Sequence, residues 1–271
     1  METLSLWPAI ERVYALPILP ELRWRLGLAQ SRLYPMGGVR QATNQNKGES
    51  MKVLVMYESS GTVREAFRRL GHDAHSLDLQ KADDGSPHHL KMDAGQMMSD
   101  IERGHVVWDL IIAHPPCTYL TSSAAWAYKD GPYHMKIGPE ILVGAERRAA
   151  REEALQTVQR IMNLPCERIV IENPVGAISK AIRPPEQYIQ PYQFGHSASK
   201  KTGLWLKGVE PLLIDSDNYV EPEYYHEGKP RWANQSPCGA TKLPPSADRW
   251  KIRSKTYQGI ADAMANQWGD V

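Results

Sequence analysis

A cysteine and a glutamate each stand just beyond a short apolar run, at the position where a buried strand would end. The run at 109–113 continues into a His-Pro-Pro-Cys sequence that ends at Cys117, and the run at 168–171 is followed at once by Glu172. In an open parallel sheet, ligands bind outside the carboxyl ends of the strands. We therefore expect the thiol and the carboxyl group to face one crevice, an arrangement typical of covalent catalysis.

A second site is predicted at the first strand, where an apolar run passes through a turn into a helix. Backbone N–H groups at a helix start can hold a cofactor, although the single Gly61 falls far short of a G-x-G-x-x-G fingerprint. Asp78 ends the second predicted strand, a position suited to binding ribose hydroxyls. Asp93 ends the third strand and is placed to accept a hydrogen bond from an adenine amine. The turn residues predicted to contact a cofactor are Tyr57, Glu58, Ser59 and Gly61.

Strand and helix patterns alternate along the chain from Lys52 onward. The predicted strands span 52–57, 72–79, 88–93, 106–113, 168–171, 188–194 and 202–206, and the predicted helices span 61–70, 96–103, 145–164 and 254–268. This alternation predicts an α/β fold with a doubly wound, mostly parallel sheet and helices on both faces.

The first 50 residues differ from the rest and form a separate N-terminal extension. They contain four prolines and a polar stretch at 41–50 that precedes the first strand. One hypothesis is that they are translated leader and that Met51 is the native start. The alternative is a short helical extension around residues 20–33 that packs on the domain. Residues 51–271 are expected to form one domain with a short insert at about 208–231.

Composition and residue spacing limit the partners and the cellular compartment that are expected for the protein. The net charge of the 271 residues is +1, so binding of nucleic acid would depend on local basic patches. Such patches occur at 147–151 and 249–255, although basic groups of this kind usually belong to solvated faces. The three cysteines form no even disulfide framework, which favours a reducing, cytoplasmic compartment. No apolar run is long enough to span a membrane, and the histidines at 72–89 lack the spacing of a metal site.

The order of these motifs resembles that of the cytosine-C5 DNA methyltransferases, over roughly residues 52–268. Residues 116–117 resemble the Pro-Cys nucleophile loop of that family, and residues 172–174 resemble its Glu-Asn-Val motif. Residues 258–264 look like the last motif, a Gln-Gly turn that leads into a helix returning to the cofactor. Residues 195–205 lie in the place of the Gln-x-Arg-x-Arg motif. The resemblance is to compact, phage-type members.

The resemblance implies a Rossmann-like domain that binds S-adenosylmethionine and methylates DNA at cytosine C5. Cys117 would attack C6 of a flipped-out cytosine. Glu172 would hydrogen-bond N3 and the exocyclic amine, best with its pKa raised by burial. The cofactor contacts that it implies are Tyr57, Glu58, Ser59, Gly61, Asp78, Asp93 and Pro115, and the substrate contacts are Pro116, Asn173, Lys200 and Lys201.

Three departures from the family pattern affect what is expected. Pro174 replaces valine, no Gln-x-Arg-x-Arg sequence is present, and only about residues 208–231 lie where the family has a target-recognition domain. That insert is acidic and too short for a domain. We therefore expect recognition of a very short DNA sequence, of about one or two bases, or dependence on a partner subunit for specificity.

Two other functions fit parts of the pattern. The His-Pro-Pro-Cys sequence is reminiscent of the Asp-Pro-Pro-Tyr motif of amino-methylating (N4/N6) DNA methyltransferases, but it lacks their first and last residue types. A catalytically inactive DNA-binding protein is the second alternative. RNA cytosine-C5 methyltransferases have a Thr-Cys motif at the position of Glu172 and Asn173, which this chain lacks.

Overall fold

A computed structural model describes residues 49–122, 124–134, 136–138 and 140–269. The predicted extension at 1–50 therefore lies almost wholly outside the described residues. The strands are β1 (Lys52–Met56), β2 (Asp73–Asp78), β3 (His89–Lys91), β4 (Leu110–Ala113), β5 (Ile169–Pro174), β6 (Gln187–Ile189), β7 (Thr202–Lys207), β8 (Tyr224–His226) and β9 (Lys229–Arg231). The α-helices are α1 (Thr62–Arg69), α2 (Ala94–Glu102), α3 (Gly144–Met162), α4 (Ile178–Ala181), α5 (Arg249–Ser254) and α6 (Gln258–Trp268).

The first seven strands form one sheet with the order β3-β2-β1-β4-β5-β7-β6. The strands from β3 to β5 run parallel, and β7 is antiparallel to both β5 and β6. This is a Rossmann-like α/β layout, and it confirms the predicted doubly wound, mostly parallel sheet. Because parallel strands share their carboxyl edge, the loops after β1, β2, β4 and β5 open on the same side.

The sheet is buried on both faces. Along β1, Val53 and Val55 belong to one apolar cluster that includes residues of α1 and α6, while Leu54 and Met56 belong to another that includes residues of α2 and α3. Alternate side chains of a strand point to opposite faces, which explains this division. Burial of one such side chain stabilises the fold by roughly 1.5–3 kcal/mol. The central strands thus give the loops at the carboxyl edge a stable support.

Two sequence predictions are corrected by the structure, and the content of the insert is added. The predicted strand at 188–194 is a short strand, β6, followed by a 3₁₀ helix at Pro191–Phe194, because Pro191 cannot donate to a strand ladder. The predicted helix at 254–268 is α6 alone, and Ser254 belongs to the separate helix α5. The insert at about 208–231 contains a 3₁₀ turn and the β8–β9 hairpin.

Candidate active site at the carboxyl edge of the sheet

Cys117 lies in the loop that follows β4, at the carboxyl edge of the sheet. His114 N donates to Met56 O over 3.0 Å, so the chain keeps its pairing with β1 until the two prolines turn it away. Cys117 is a free, exposed cysteine. Partial burial of the thiol, and then the nearby charge of Glu172, raise its pKa, and Lys200 and Arg253 oppose that shift. In the free protein, the surroundings of Cys117 therefore favour the protonated thiol over the reactive thiolate.

Glu172 lies within β5, where it is held between β4 and β7. Its Oε2 is 2.9 Å from His114 Nδ1, and the two side chains are 12% and 10% exposed. Burial alone would raise the pKa of Glu172, but the hydrogen bond from His114, the charges of Lys200 and His114, and a hydrogen bond from Thr202 outweigh it and lower the pKa to about 2. The sequence expectation of a raised pKa is thus wrong, because partners from neighbouring strands stabilise the carboxylate.

Asn173 links the strand of the acid to the loop of the cysteine. Its side chain is buried, and its Nδ2 donates to Pro115 O over 2.8 Å. Asn173 Oδ1 and His114 Nε2 are both buried without a hydrogen-bond partner among the described residues. A buried polar atom without a partner costs roughly 1–3 kcal/mol, and such costs concentrate at functional sites. The hydrogen bond from Asn173 to Pro115 therefore fixes the strand that carries Glu172 relative to the loop that carries Cys117.

A close backbone contact joins the two loops. Ala177 N donates to Leu120 O over 2.6 Å, and Thr121 and Gly176 form an isolated antiparallel bridge. A Cβ on Gly176 would lie 1.9 Å from Leu120 O, so only glycine permits this approach. The loop that carries Cys117 and the loop that follows Glu172 are thus held together.

The two lysines of the predicted substrate contacts have different surroundings. Lys200 lies close enough to Glu172 and Cys117 for its charge to lower the pKa of each group. Lys201 Nζ lies 4.4 Å from the centroid of the Tyr188 ring. The structure therefore brings Lys200, and not Lys201, to the cysteine and the acid. Pro116 is exposed beside Cys117, as a substrate contact requires.

The turn after β1 has the backbone of a tight strand-to-helix connection. Tyr57 and Gly61 adopt positive φ angles of 62° and 72°. Glu58 is buried, and its carboxylate accepts hydrogen bonds from Val63 N at 2.7 Å and Arg64 N at 3.2 Å. The Glu58 side chain thus caps the N-terminus of α1. Glu58 was predicted to contact a cofactor, but its carboxylate is already occupied by the helix.

The remaining predicted cofactor residues come together at the carboxyl ends of β1, β2 and β3. Burial, Asp93 and Asp78 raise the pKa of Tyr57 to about 12, against the opposing charge of Arg160, so the phenol lies near both carboxylates. Asp78 accepts from Gln80 N over 2.8 Å, and Asp93 caps α2 by accepting from Gln96 N over 3.1 Å. Each acid therefore has a local structural role and keeps one carboxylate oxygen for another partner.

A cavity of about 570 Å³ opens next to Asp78. Its lining residues are Leu79, Gln80, Lys81, Ala82, Asp83, Lys91 and Lys251. The loop on its wall is fastened to the first turn, because Asp83 N donates to Ser59 O over 2.9 Å. Arg64 is fully buried, bonds Ser76 Oγ at 2.7 Å and forms an ion pair with Asp84. The turn that holds Ser59 and Gly61 and the wall of this cavity are thus one connected structure.

Known proteins resemble this chain in structure and not in sequence. No family model matches the sequence, and no curated protein matches it. Among solved structures, the chain is similar to the methyltransferase EhMeth of Entamoeba histolytica, with 13% sequence identity and a TM-score of 0.40. That similarity covers 65% of this chain and 58% of that chain. The function proposed below rests on the geometry of the site.

Neither metal nor membrane features stand out in the part of the chain that the structure describes. No group of three or more histidine, cysteine, aspartate or glutamate side chains there is placed to hold a metal ion. No helix there is long and apolar enough to cross a membrane.

Two residues that organise the site were not predicted from the sequence. One is His114, although an imidazole directly after a buried strand indicates a polar group at the carboxyl edge. Arg64 was not singled out, although it lies between Val63 and Phe67 in the apolar pattern of α1. A charged side chain on the buried face of a helix indicates a specific partner.

The basic group at 147–151 is engaged within the protein. The guanidinium carbon of Arg151 lies 3.3 Å from the centroid of the Tyr128 ring, and that of Arg147 lies 4.8 Å from it. Arg148 donates to Tyr128 O and pairs with Asp130. These arginines hold the chain after Cys117 against α3, which makes them poor candidates for phosphate contacts.

Proposed function

We propose that this protein transfers a methyl group from S-adenosylmethionine to C5 of cytosine in DNA, through a covalent adduct with Cys117. The observation that carries the proposal is the juxtaposition of a thiol, a carboxylate and a cation at one sheet edge: Cys117, Glu172 and Lys200. An electron-poor ring that must be attacked at one carbon and polarised at its nitrogen atoms needs such a set of groups.

The groups of this edge suit the adduct chemistry. Cys117 Sγ forms a bond to C6 of cytosine, and electron density moves to C5, which becomes the nucleophile. The Glu172 carboxylate takes the thiol proton and passes it to N3, while it also accepts a hydrogen bond from the exocyclic amine. After C5 has been methylated, solvent takes the C5 proton and Sγ leaves as a thiolate. The N3 proton then returns through Glu172 to the sulfur, which restores the thiol. Lys200 stabilises the Glu172 carboxylate before the base arrives and the Cys117 thiolate as it forms.

The cofactor half of the site fits a ligand without phosphate groups. Helix starts commonly bind phosphate, but the start of α1 is already bonded to the Glu58 carboxylate. A pyrophosphate there would meet a buried negative charge. S-adenosylmethionine supplies an electrophilic methyl group and carries no phosphate. The free oxygens of Asp78 and Asp93, with the phenol of Tyr57 near both, are suited to its ribose hydroxyls and adenine amine.

A thiol hydrolase is the second candidate. The hydrogen bond between His114 and Glu172 resembles the pair that orients a general base for a nucleophile. In this structure, however, no hydrogen bond joins the Cys117 thiol to His114, and His114 Nε2 is buried. The arrangement therefore favours the role of His114 as a positioning residue for the Glu172 carboxylate.

The test is a covalent trap with DNA that contains 5-fluorocytosine, in the presence of S-adenosylmethionine. Fluorine at C5 cannot leave as a proton, so the protein should stay attached to the DNA through Cys117. The Cys117→Ser variant should form no adduct, and the matched Cys238→Ser variant should form it as the wild type does. N4-methylcytosine as the product of unmodified DNA would show an amino methyltransferase instead. Binding of DNA with neither adduct nor product would indicate an inactive DNA-binding protein.

The cofactor assignment is tested by calorimetry on the Asp78→Ala variant. Loss of a hydrogen bond to a charged group costs roughly 1.5–3 kcal/mol, which corresponds to about 10- to 150-fold weaker binding of S-adenosylmethionine. Asp217→Ala, at an exposed carboxylate of the insert, is the matched control. Unchanged affinity in Asp78→Ala would remove this residue from the cofactor site.

A further inference from the structure

A short basic surface lies beside the crevice and is not used by the chemistry above. We call it the α5 surface, and it comprises Arg249, Trp250, Lys251, Ile252, Arg253 and Lys255. Trp250 is 60% exposed and Ile252 is 53% exposed, which is unusual for residues of this size. Exposed large apolar residues among cations point to a partner that offers both flat apolar faces and negative charge.

The α5 surface is anchored on one side to the cofactor cavity. Lys251 Nζ and Lys255 Nζ lie 2.5 Å and 3.1 Å from the two carboxylate oxygens of Asp83. Lys251 lies in α5 and Lys255 directly follows it. The two ammonium groups share the one carboxylate of Asp83, and this ion pairing holds α5 in position.

The other side of the α5 surface lies towards the cysteine. Lys200 Nζ donates to Lys255 O over 3.4 Å, so the segment contacts the lysine that lies near Glu172. The charge of Arg253 acts on the Cys117 thiol, which places the guanidinium near the crevice. Trp250 precedes Arg253 by three residues and therefore neighbours it on the helix. Arg253 makes no ion pair with any described residue, and its charge is available to a ligand.

We infer that the α5 surface binds single-stranded DNA next to the target cytosine, with Trp250 stacked on a neighbouring base and Arg253 on a phosphate. This inference rests on the proposed function. Proteins commonly bind single-stranded nucleic acids through aromatic side chains next to cations, because the faces of unpaired bases are exposed. In a paired duplex those faces are covered by stacking. Arg249, whose Nε is buried without a partner, is a further cation of the same surface.

The experiment measures the affinity of the full chain for a short fluorescein-labelled strand that contains cytosine, and for the same strand in a duplex. Fluorescence anisotropy should show tighter binding of the single strand. Trp250→Ala should weaken that binding about tenfold or more, since each stacked base contributes strongly to affinity. Arg253→Gln should lower the slope of log affinity against log salt by about 0.7, the effect of one lost phosphate contact on a single strand.

Two control variants separate these effects from general changes of surface or charge. Val107→Ala removes an apolar side chain that is 68% exposed before β4, at the opposite, amino edge of the sheet. Arg103→Gln removes one exposed positive charge after α2, at the same amino edge. Both controls should bind the single strand as the wild type does.

Three outcomes would overturn the inference: wild-type affinity in Trp250→Ala, tighter binding of the duplex, or no DNA binding at all. The last outcome would also overturn the proposed function. Methyl transfer by a protein whose α5 variants bind normally would overturn this inference alone. DNA binding that depends on α5 without any methyl transfer would support the inference and refute the proposed enzyme.

Discussion

Glu172 keeps its negative charge in a place where burial alone would remove it. The imidazole of His114, the ammonium group of Lys200 and the hydroxyl of Thr202 all stabilise the carboxylate. The negative charge of Glu172 disfavours a second anion nearby. Burial is the largest cause of the raised pKa of Cys117, and this charge is the second largest. In the free protein, the acid is therefore ionised and the thiol is protonated. Each group is in the state from which a proton can pass from sulfur to substrate.

Alkylation of the cysteines by iodoacetamide tests this coupling. Only the thiolate reacts, and the pKa of Cys117 lies above its ordinary value of 9.0, so its alkylation rate should keep rising with pH through and beyond 9. Replacing the charge in Glu172→Gln should lower the pKa of Cys117 and speed its alkylation at pH 8.

The internal control is Cys238, whose pKa is lowered by the Ser236 hydroxyl and by the backbone around it. Peptide mapping should show that Cys238 reacts faster than Cys117 at neutral pH. A rate for Cys117 that levels off below pH 8, or that Glu172→Gln leaves unchanged, would contradict the coupling.

The sequence predicted that Cys117 follows β4, which the structure confirms, but Glu172 lies within β5 and not beyond its end, and the ionisation expected for Glu172 was wrong. The positions follow from local patterns, because an apolar run that stops abruptly marks the end of a buried strand. The pKa of Glu172 depends on His114 and on Thr202 of β7, which are distant along the chain. Such partners are set by the sheet order and register, and neither can be derived from a local pattern.

At the level of elements, the central strands and long helices were predictable and the later ones were not. The runs that form β1, β4 and β5 are buried on both faces and leave a clear apolar signal. The later elements lack such a signal. The predicted helix at 254–268 corresponds to α6, and α5 was missed because Arg249–Ser254 carries no apolar stripe and its large apolar side chains are exposed. The chain departs from regular patterns where it forms its candidate binding surface.

The contact between the two active-site loops leads to a prediction for Gly176→Ala. The new Cβ would overlap Leu120 O, and overpacking of this kind typically costs about 1–3 kcal/mol. We expect lower stability in urea denaturation and slower adduct formation with 5-fluorocytosine DNA, because Cys117 and Glu172 would move apart.

Gly138→Ala is the control, since a Cβ there meets only Ile141, at 3.7 Å from Cδ1. It lies in the same connection between β4 and α3 and should change neither quantity. Adduct formation at the wild-type rate in Gly176→Ala would mean that the spacing of the two loops does not depend on this contact.

At the scale of the whole molecule, residues 49–269 as far as they are described offer the proposed DNA methyltransferase little structure with which to read a sequence. The insert at 208–231 folds into a 3₁₀ turn and a two-stranded hairpin. It carries several acids, and Arg231, one of its few cations, is buried and donates to Pro237 O and Pro230 O. An acidic hairpin is poorly suited to lie along phosphates. Affinity must then come from cations elsewhere.

We therefore expect methylation at a very short site of about one or two bases by the protein alone, or longer specificity only with a partner subunit. Bisulfite sequencing of DNA treated with the purified protein measures the site. Binding should fall steeply as salt rises, because phosphate contacts dominate affinity. Methylation by the protein alone that is confined to one longer sequence would refute this expectation.

The buried guanidinium of Arg64 has a consequence for how a ligand enters the cofactor side. Through Ser76 and Asp84, and with Asp83 tied to Ser59, it holds the cavity wall in place. The wall thus exists before any ligand arrives, and little conformational entropy is lost when one binds. We therefore expect a ligand of this cavity to bind in one step, with an association rate that is governed by diffusion and not by loop ordering.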